Sequence, residues 1–154
     1  MKYRFIADRM VGRLAKMLRL LGYDTMYSPD LTSSRLKDLA HREGRIILTR
    51  GDVSQRFAGV ENIFSIESDY APEQLREVVK RFELDVQMGL WTRCTLCNET
   101  FERVEKAQIE PLVKPKVYEL YKEFFQCSGC GHVYWRGSHV ERTLKNLAAI
   151  LKNG

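Results

Sequence analysis

The chain has 154 residues, 44% of them hydrophobic, with 25 Lys and Arg against 20 Asp and Glu. That is enough apolar material for one ordinary domain, or for a small domain plus a metal-stapled one, and no run approaches the roughly 18 apolar residues of a helical membrane span. The formal charge of +5 and pI of about 9.1 favour an anionic partner, nucleic acid first.

Tyr3 to Ala7 is a short apolar run that suits a buried strand. Val11, Leu14, Ala15, Leu18 and Leu21 then fall on one face of a helix, with Gly22 placed to stop it. Tyr23 to Tyr27 reads as a second strand. Ser33 or Ser34 can cap a helix carrying Leu36, Leu39 and Ala40, ended by Gly44. Arg45 to Thr49 is a third strand, a short helix spans about Asp52 to Ala58, and Asn62 to Ile66 is a fourth strand. Pro72 suits the first turn of a helix bearing Leu75, Val78, Val79 and Phe82. The order βαβαβαβα predicts an α/β fold, a parallel sheet with helices on both faces.

Past residue 85 the pattern changes. Cys94-Thr95-Leu96-Cys97 and Cys127-Ser128-Gly129-Cys130 are two CxxC pairs, and the chain has no other cysteine. Four thiolates in two such knuckles are what a tetrahedral zinc ion takes, and a closed set of four leaves no open position for chemistry. Possible strands at Thr100 to Val104 and His132 to Trp135 fit a ribbon better than a thioredoxin-like redox site. Gly129 and Gly131 permit the tight turn that aims backbone N–H groups at sulfur. A closing helix carries Val140, Leu144, Leu147 and Leu151. Residues 1–85 and 92–154 are the expected domains. Reduced cysteines and the lack of a targeting segment point to the cytoplasm.

The acids carry the functional argument. Asp8, Asp30, Asp52 and Asp69, the last with Glu67, each follow one of the predicted strands. Sites in open α/β sheets form outside the carboxyl ends of the strands, so these carboxylates can converge. A divalent cation between them offsets their repulsion, and hard oxygen donors suit Mg²⁺ or Mn²⁺. Such a site activates water at a phosphodiester. Taken singly, each acid is equally an ordinary cap or turn residue.

Arg9, Arg13, Lys16 and Arg19 lie on the helix face opposite the apolar one, in a stretch from Arg9 to Tyr23 that has no acid. The stripe can hold phosphates or be a solvated face. Thr49 and Arg50 at the third strand end can position a phosphate or the acids. His139 can contact a phosphate or be buried and hydrogen-bonded. His132 is a spare neighbour of the second knuckle, and His41 is expected to be exposed. Tyr118, Tyr121, Phe124, Phe125, Tyr134 and Trp135 can stack on unpaired bases, but such residues more often fill the core of a small module.

Three strings together carry a family resemblance: Phe5-Ile-Ala-Asp-Arg-Met-Val-Gly-Arg-Leu-Ala-Lys-Met-Leu-Arg-Leu-Leu-Gly22, Arg45-Ile-Ile-Leu-Thr-Arg50, and the ribbon with Val133-Tyr-Trp-Arg-Gly-Ser-His139. Over nearly the whole length the chain resembles the Mut-seven C-terminal family, a PIN-like ribonuclease domain fused to a zinc ribbon. The resemblance implies a metal-dependent nuclease that acts on RNA through acids around Mg²⁺ or Mn²⁺; the expected reaction is endonucleolytic hydrolysis of single-stranded or structured RNA, with the ribbon aiding RNA binding or only bracing the fold. By position Asp8 matches the first acid and Asp30 the second. Such chains often read Thr-Arg-Asp where this one reads Thr49-Arg50-Gly51-Asp52, so Asp52 serves from one position later or the site is weakened. Asp69 would be a fourth acid.

Two other readings stand beside this one. The Gly51 departure favours a non-catalytic RNA-binding module with a decayed acid site. A response-regulator-like phosphoacceptor also gathers aspartates at strand ends, but the expected acidic pair and lysine are not clear here. No GxxxxGK[ST] string is present, which disfavours a P-loop enzyme.

Overall fold

The computed structural model describes residues 2–153. They form two compact units that divide between Asn98 and Glu99.

The first unit is built on four short parallel strands, β1 (Phe5–Ala7), β2 (Thr25–Tyr27), β3 (Ile46–Arg50) and β4 (Ile63–Ile66), in the order β2-β1-β3-β4. Three helices cover the sheet: α1 (Gly12–Leu20), α2 (Ser33–Glu43) and α3 (Ala71–Phe82). Side chains alternate along each strand and therefore feed two separate cores. Phe5 of β1 and Phe64 of β4 both meet Phe82 of α3, with ring centroids 5.4 and 5.7 Å apart. On the opposite face Ile6 and Ile47 pack with Leu36 and Leu39 of α2. The α/β sheet flanked by helices is therefore as expected. It also turns back on itself at β1, which has β2 on one side and β3 on the other.

Local chemistry explains the helix ends. The helix α1 closes in a Schellman arrangement: Tyr23 N–H donates to Leu18 O at 2.9 Å and Gly22 N–H to Arg19 O at 2.9 Å, with Gly22 at φ +90°. Gly44 takes the left-handed position after α2, at φ +63°. The cap of α2 is Thr32, whose Oγ1 accepts from Arg35 N–H at 3.2 Å, rather than Ser33 or Ser34. The expected helix from Asp52 to Ala58 does not form. The Asp52 carboxylate accepts from Ser54 N–H at 2.8 Å as a helix cap would, but a single turn follows, Phe57 N–H to Val53 O at 2.9 Å, and glycines at positive φ, Gly51 and Gly59, bound the stretch. Residues 51–60 are turns, pinned by buried Phe57 with Val53 and Val60 in the α2-side core.

In the second unit β5 (Phe101–Val104), β6 (Phe124–Cys127) and β7 (Val133–Tyr134) make an antiparallel sheet in that order. Two short helices, α4 (Lys106–Ile109) and α5 (Pro115–Leu120), join β5 to β6, and α6 (Ser138–Lys152) closes the chain. Phe124, Ile109 and Val133 form a core lined by Tyr118, Tyr121 and Trp135, so these aromatic residues pack inside the module. No helix among the described residues is long and apolar enough to cross a membrane.

Candidate functional site

The reversal of strand order at β1 and β3 is where open α/β sheets bind ligands. Asp8 directly follows β1 there, and its N–H donates to Leu48 O at 2.9 Å, which carries the pairing one residue past the strand. Only 1% of Asp8 is exposed. Its Oδ1 accepts from Arg9 N–H at 2.7 Å, and its Oδ2 accepts from the Thr49 hydroxyl at 2.7 Å. A third donor comes from the 51–60 turns: Arg56 Nη2 lies 2.9 Å from the same Oδ2. Thr49 at the end of β3 thus positions an acid. Arg56 was not foreseen, because nothing local in its sequence links it to Asp8.

The other predicted acids differ in kind. Asp30, Asp52 and Asp69 are exposed. The carboxyl of Asp52 is held below its ordinary range by hydrogen bonds from Ser54. After β4, the Glu77 carboxylate accepts the N–H groups of Glu67 and Ser68, both at 2.9 Å, and so fixes the turn that carries Asp69 into α3.

Two open cavities flank this edge. One, of about 420 Å³, brings Arg9, Arg13, Lys16 and Asp69 together with Tyr27 and Tyr70. The other, of about 400 Å³, is lined by Arg50, Gly51, Ser65 and Glu67, and Met10 borders both. Arg50 Nε is buried without a hydrogen-bond partner. A larger cavity of about 630 Å³ lies against α2 and holds none of the expected site residues. Arg19 does not join the basic stripe. It is 4% exposed, and its guanidinium donates to the carbonyls of Thr25 at 2.9 Å, Thr95 at 2.9 Å and Leu96 at 3.3 Å. His139 is exposed rather than buried, and its carbonyl accepts from the Thr143 hydroxyl. His41 is exposed as expected.

Among the described residues, one group of potential metal ligands gathers: the ligand atoms of Cys94, Cys97, Cys127 and Cys130 all lie within 4.8 Å of one another. The two knuckles repeat one geometry. Asn98 N–H donates to Cys94 O at 3.0 Å and Gly131 N–H to Cys127 O at 3.1 Å, with Asn98 at φ +76° and Gly131 at φ +75°. Gly and Asn are the residues that adopt this conformation most readily. Gly129 N–H points at Cys127 Sγ, 3.4 Å away, the donor a thiolate needs. Four soft ligands so placed fit zinc, and the cluster can hold that ion. The carboxylates do not fit Mg²⁺ or Mn²⁺ as arranged: Asp8 is sealed, Arg56 holds its Oδ2, and no three acids among the described residues gather within ligand reach.

Comparison with known proteins adds to the geometry. The family model for the Mut7-C RNAse domain matches residues 3–147. The chain is similar to the human exonuclease mut-7 homolog, with 30% identity over 118 residues that make up 72% of this chain and 14% of that protein. It therefore corresponds to a small part of that relative's length. No solved structure gives a significant match. The α/β sheet, the four-cysteine cluster and a family match over nearly all of its length place this chain in the Mut7-C RNAse domain family, a family of nucleases.

Proposed function

We propose that the chain hydrolyses RNA at internal phosphodiester bonds, with the reacting phosphate at the carboxyl ends of β1 and β3. The buried carboxylate of Asp8 at the turning point of the sheet, beside a groove lined by Arg9, Arg13 and Lys16, carries this reading. Thr49 and the Arg9 N–H hold that carboxylate in one orientation. The three groove cations would neutralise the phosphates on either side of the reacting one. The partnerless Nε of Arg50 would donate to a phosphate oxygen. Asp69 shares the groove with the cations and is the second candidate acid, while Asp30 and Asp52 extend the edge past β2 and β3. In the reaction a water oxygen adds to phosphorus, the bond to the ribose oxygen breaks, and that oxygen leaves with a proton. No covalent enzyme intermediate forms. The zinc held by the four cysteines would be structural, because four thiolates fill its coordination sphere. His139 and the module around it would help bind the strand.

The test is cleavage of labelled single-stranded, structured and circular RNA with Mn²⁺, Mg²⁺ or EDTA, beside Asp8→Asn. Opening of the circle establishes an endonuclease, and the variant should lose about 100-fold or more of the rate. Full activity in Asp8→Asn rejects the assignment. The Arg56–Asp8 ion pair favours a second reading, an RNA-binding module without catalysis. That reading predicts salt-dependent binding with no turnover under any of the three conditions.

A further inference from the structure

We infer that Tyr27 and Tyr70 make a nucleobase-stacking subsite in the groove beside Asp8. The inference rests on reading this edge as the RNA site, and it concerns the bases, whereas the groove cations concern the phosphates. The cavity of about 420 Å³ holds both tyrosines together with Arg9, Arg13 and Lys16. Cations that track a backbone and aromatic rings that take base faces are the two parts of a site for unpaired nucleic acid. Tyr70 is 63% exposed, and Met10, which lines the same cavity, is 47% exposed. Large apolar side chains left in water beside cations point to a ligand with an apolar face and a negative charge, which is what a nucleotide offers.

The two rings are presented by different means. Tyr27 ends β2, and its backbone pairs with Ala7, the residue before Asp8. Adjacent strands lie about 4.8 Å apart, so a base resting on Tyr27 belongs to a nucleotide next to the reacting phosphate. The Tyr27 ring passes over Gly12 at the start of α1, where a Cβ would come within 2.6 Å of its Cζ and Oη. Gly12 therefore leaves the space that this ring occupies. Tyr70 precedes α3 in a turn that is already fixed. Its N–H donates to Ser68 Oγ at 3.1 Å, and Gln74, 3% exposed, donates from Nε2 to Ser68 O at 3.0 Å. The Glu77 carboxylate holds the same turn from its other side. A ring carried on an ordered backbone loses little freedom when a base settles on it. Bases in a duplex are stacked on one another and cannot do so.

The test is binding by the full chain without added Mg²⁺ or Mn²⁺, read by fluorescence anisotropy. Three labelled ligands of equal length are compared: an oligouridine, the same ribose-phosphate chain without bases, and an RNA duplex. The proteins are wild type, Tyr70→Ala, Tyr70→Phe, Gly12→Ala and Arg13→Ala, each checked for native circular dichroism. In Gly12→Ala the tyrosine remains, but the new methyl displaces the end of its ring, and alanine does not weaken the helix. Stacking one base is worth about 5- to 150-fold in affinity. Tyr70→Ala and Gly12→Ala should each bind oligouridine at least about fivefold more weakly, with the abasic chain and the duplex unchanged. Tyr70→Phe keeps the ring and stays near wild type. Arg13→Ala weakens oligouridine and the abasic chain alike. Wild-type affinity for oligouridine in either Tyr70→Ala or Gly12→Ala overturns the two-ring subsite, and the groove reading stands if Arg13→Ala still weakens binding. If Arg13→Ala also binds like wild type, both readings fall. Equal losses on oligouridine and the abasic chain in Tyr70→Ala and Gly12→Ala make the rings supports of the groove and overturn the inference.

Discussion

Asp24 shows how a single side chain can tie a fold together. Burial pushes its carboxyl up, but hydrogen bonds from Arg45, Asn98 and Arg4 outweigh that and hold it at about 2, below the ordinary 3.8. Arg45 donates from Nη1 to Asp24 Oδ1 at 2.7 Å, and Asn98 Nδ2 donates to the same oxygen at 2.7 Å. A folded-state value below the unfolded one means that the stabilisation is complete above about pH 4 and is lost as pH falls towards 2. Urea unfolding across that window should show a loss of about 1–2 kcal/mol, discounted for the partly exposed carboxylate. Asp24→Asn should flatten this pH dependence and weaken the fold by about 2–3 kcal/mol at neutral pH, because Arg45 loses its main partner in a buried position. Gly51 is the other informative residue. It stands where the family resemblance leads to the expectation of an acid, yet its φ of +90° is a conformation that L side chains rarely adopt. A Cβ there meets nothing within 4 Å, so backbone strain alone opposes an acid at this position. Gly51→Asp should cost about 1–2 kcal/mol in urea unfolding. A stabilised variant would show that the turn readily accepts the acid.

At the scale of elements, α1 does two jobs on two faces. Arg13 and Lys16 point to the groove beside Asp69, whereas Arg19 ties the helix to Thr95 and Leu96, the two residues between the cysteines of the first knuckle. These cations should therefore separate in experiment. Arg13→Ala and Lys16→Ala should weaken RNA binding, each lowering the slope of log affinity against log salt by about 0.7, with little effect on stability. Arg19→Ala should instead lower the thermal midpoint, since it deletes charge-assisted bonds worth about 1.5–3 kcal/mol in a buried setting. Equal salt slopes in wild type and the Arg13 and Lys16 variants would remove the groove from the RNA path. The end of α1 is just as constrained. A Cβ on Gly22 would run into the Gly89 carbonyl, and the positive φ adds strain, so Gly22→Ala has no relaxed alternative.

Over the whole molecule, the four-cysteine cluster and the sheet topology set the frame. A preparation should contain one zinc per chain by elemental analysis, and Cys97→Ser or Cys130→Ser should lose it together with the native circular dichroism of the β5–β6–β7 module. Full structure in both variants without zinc would make the metal dispensable. Much of this frame is legible in the sequence because it is local. The 3.6-residue periodicity of α1, the glycines that end α1 and α2, and the apolar runs of β1 and β3 are each encoded within a few neighbouring residues. The CxxC spacing likewise brings two thiolates together within each knuckle. Local rules fail where packing decides the path of the chain, as when the helix expected from Asp52 to Ala58 gives way to turns bounded by Gly51 and Gly59 at positive φ and anchored by Phe57 in the core. By itself, then, the sequence determined the α/β class, the order of the strands and main helices and the two cysteine pairs, since periodicity, capping and ligand spacing are short-range properties. Only the tertiary structure decided that Arg19 braces a knuckle, that Asp8 is sealed by Arg56, and that Asp30, Asp52 and Asp69 stay exposed. Those outcomes depend on which distant segments pack together, and burial decides whether a charge must find a partner inside the protein or can be left to water.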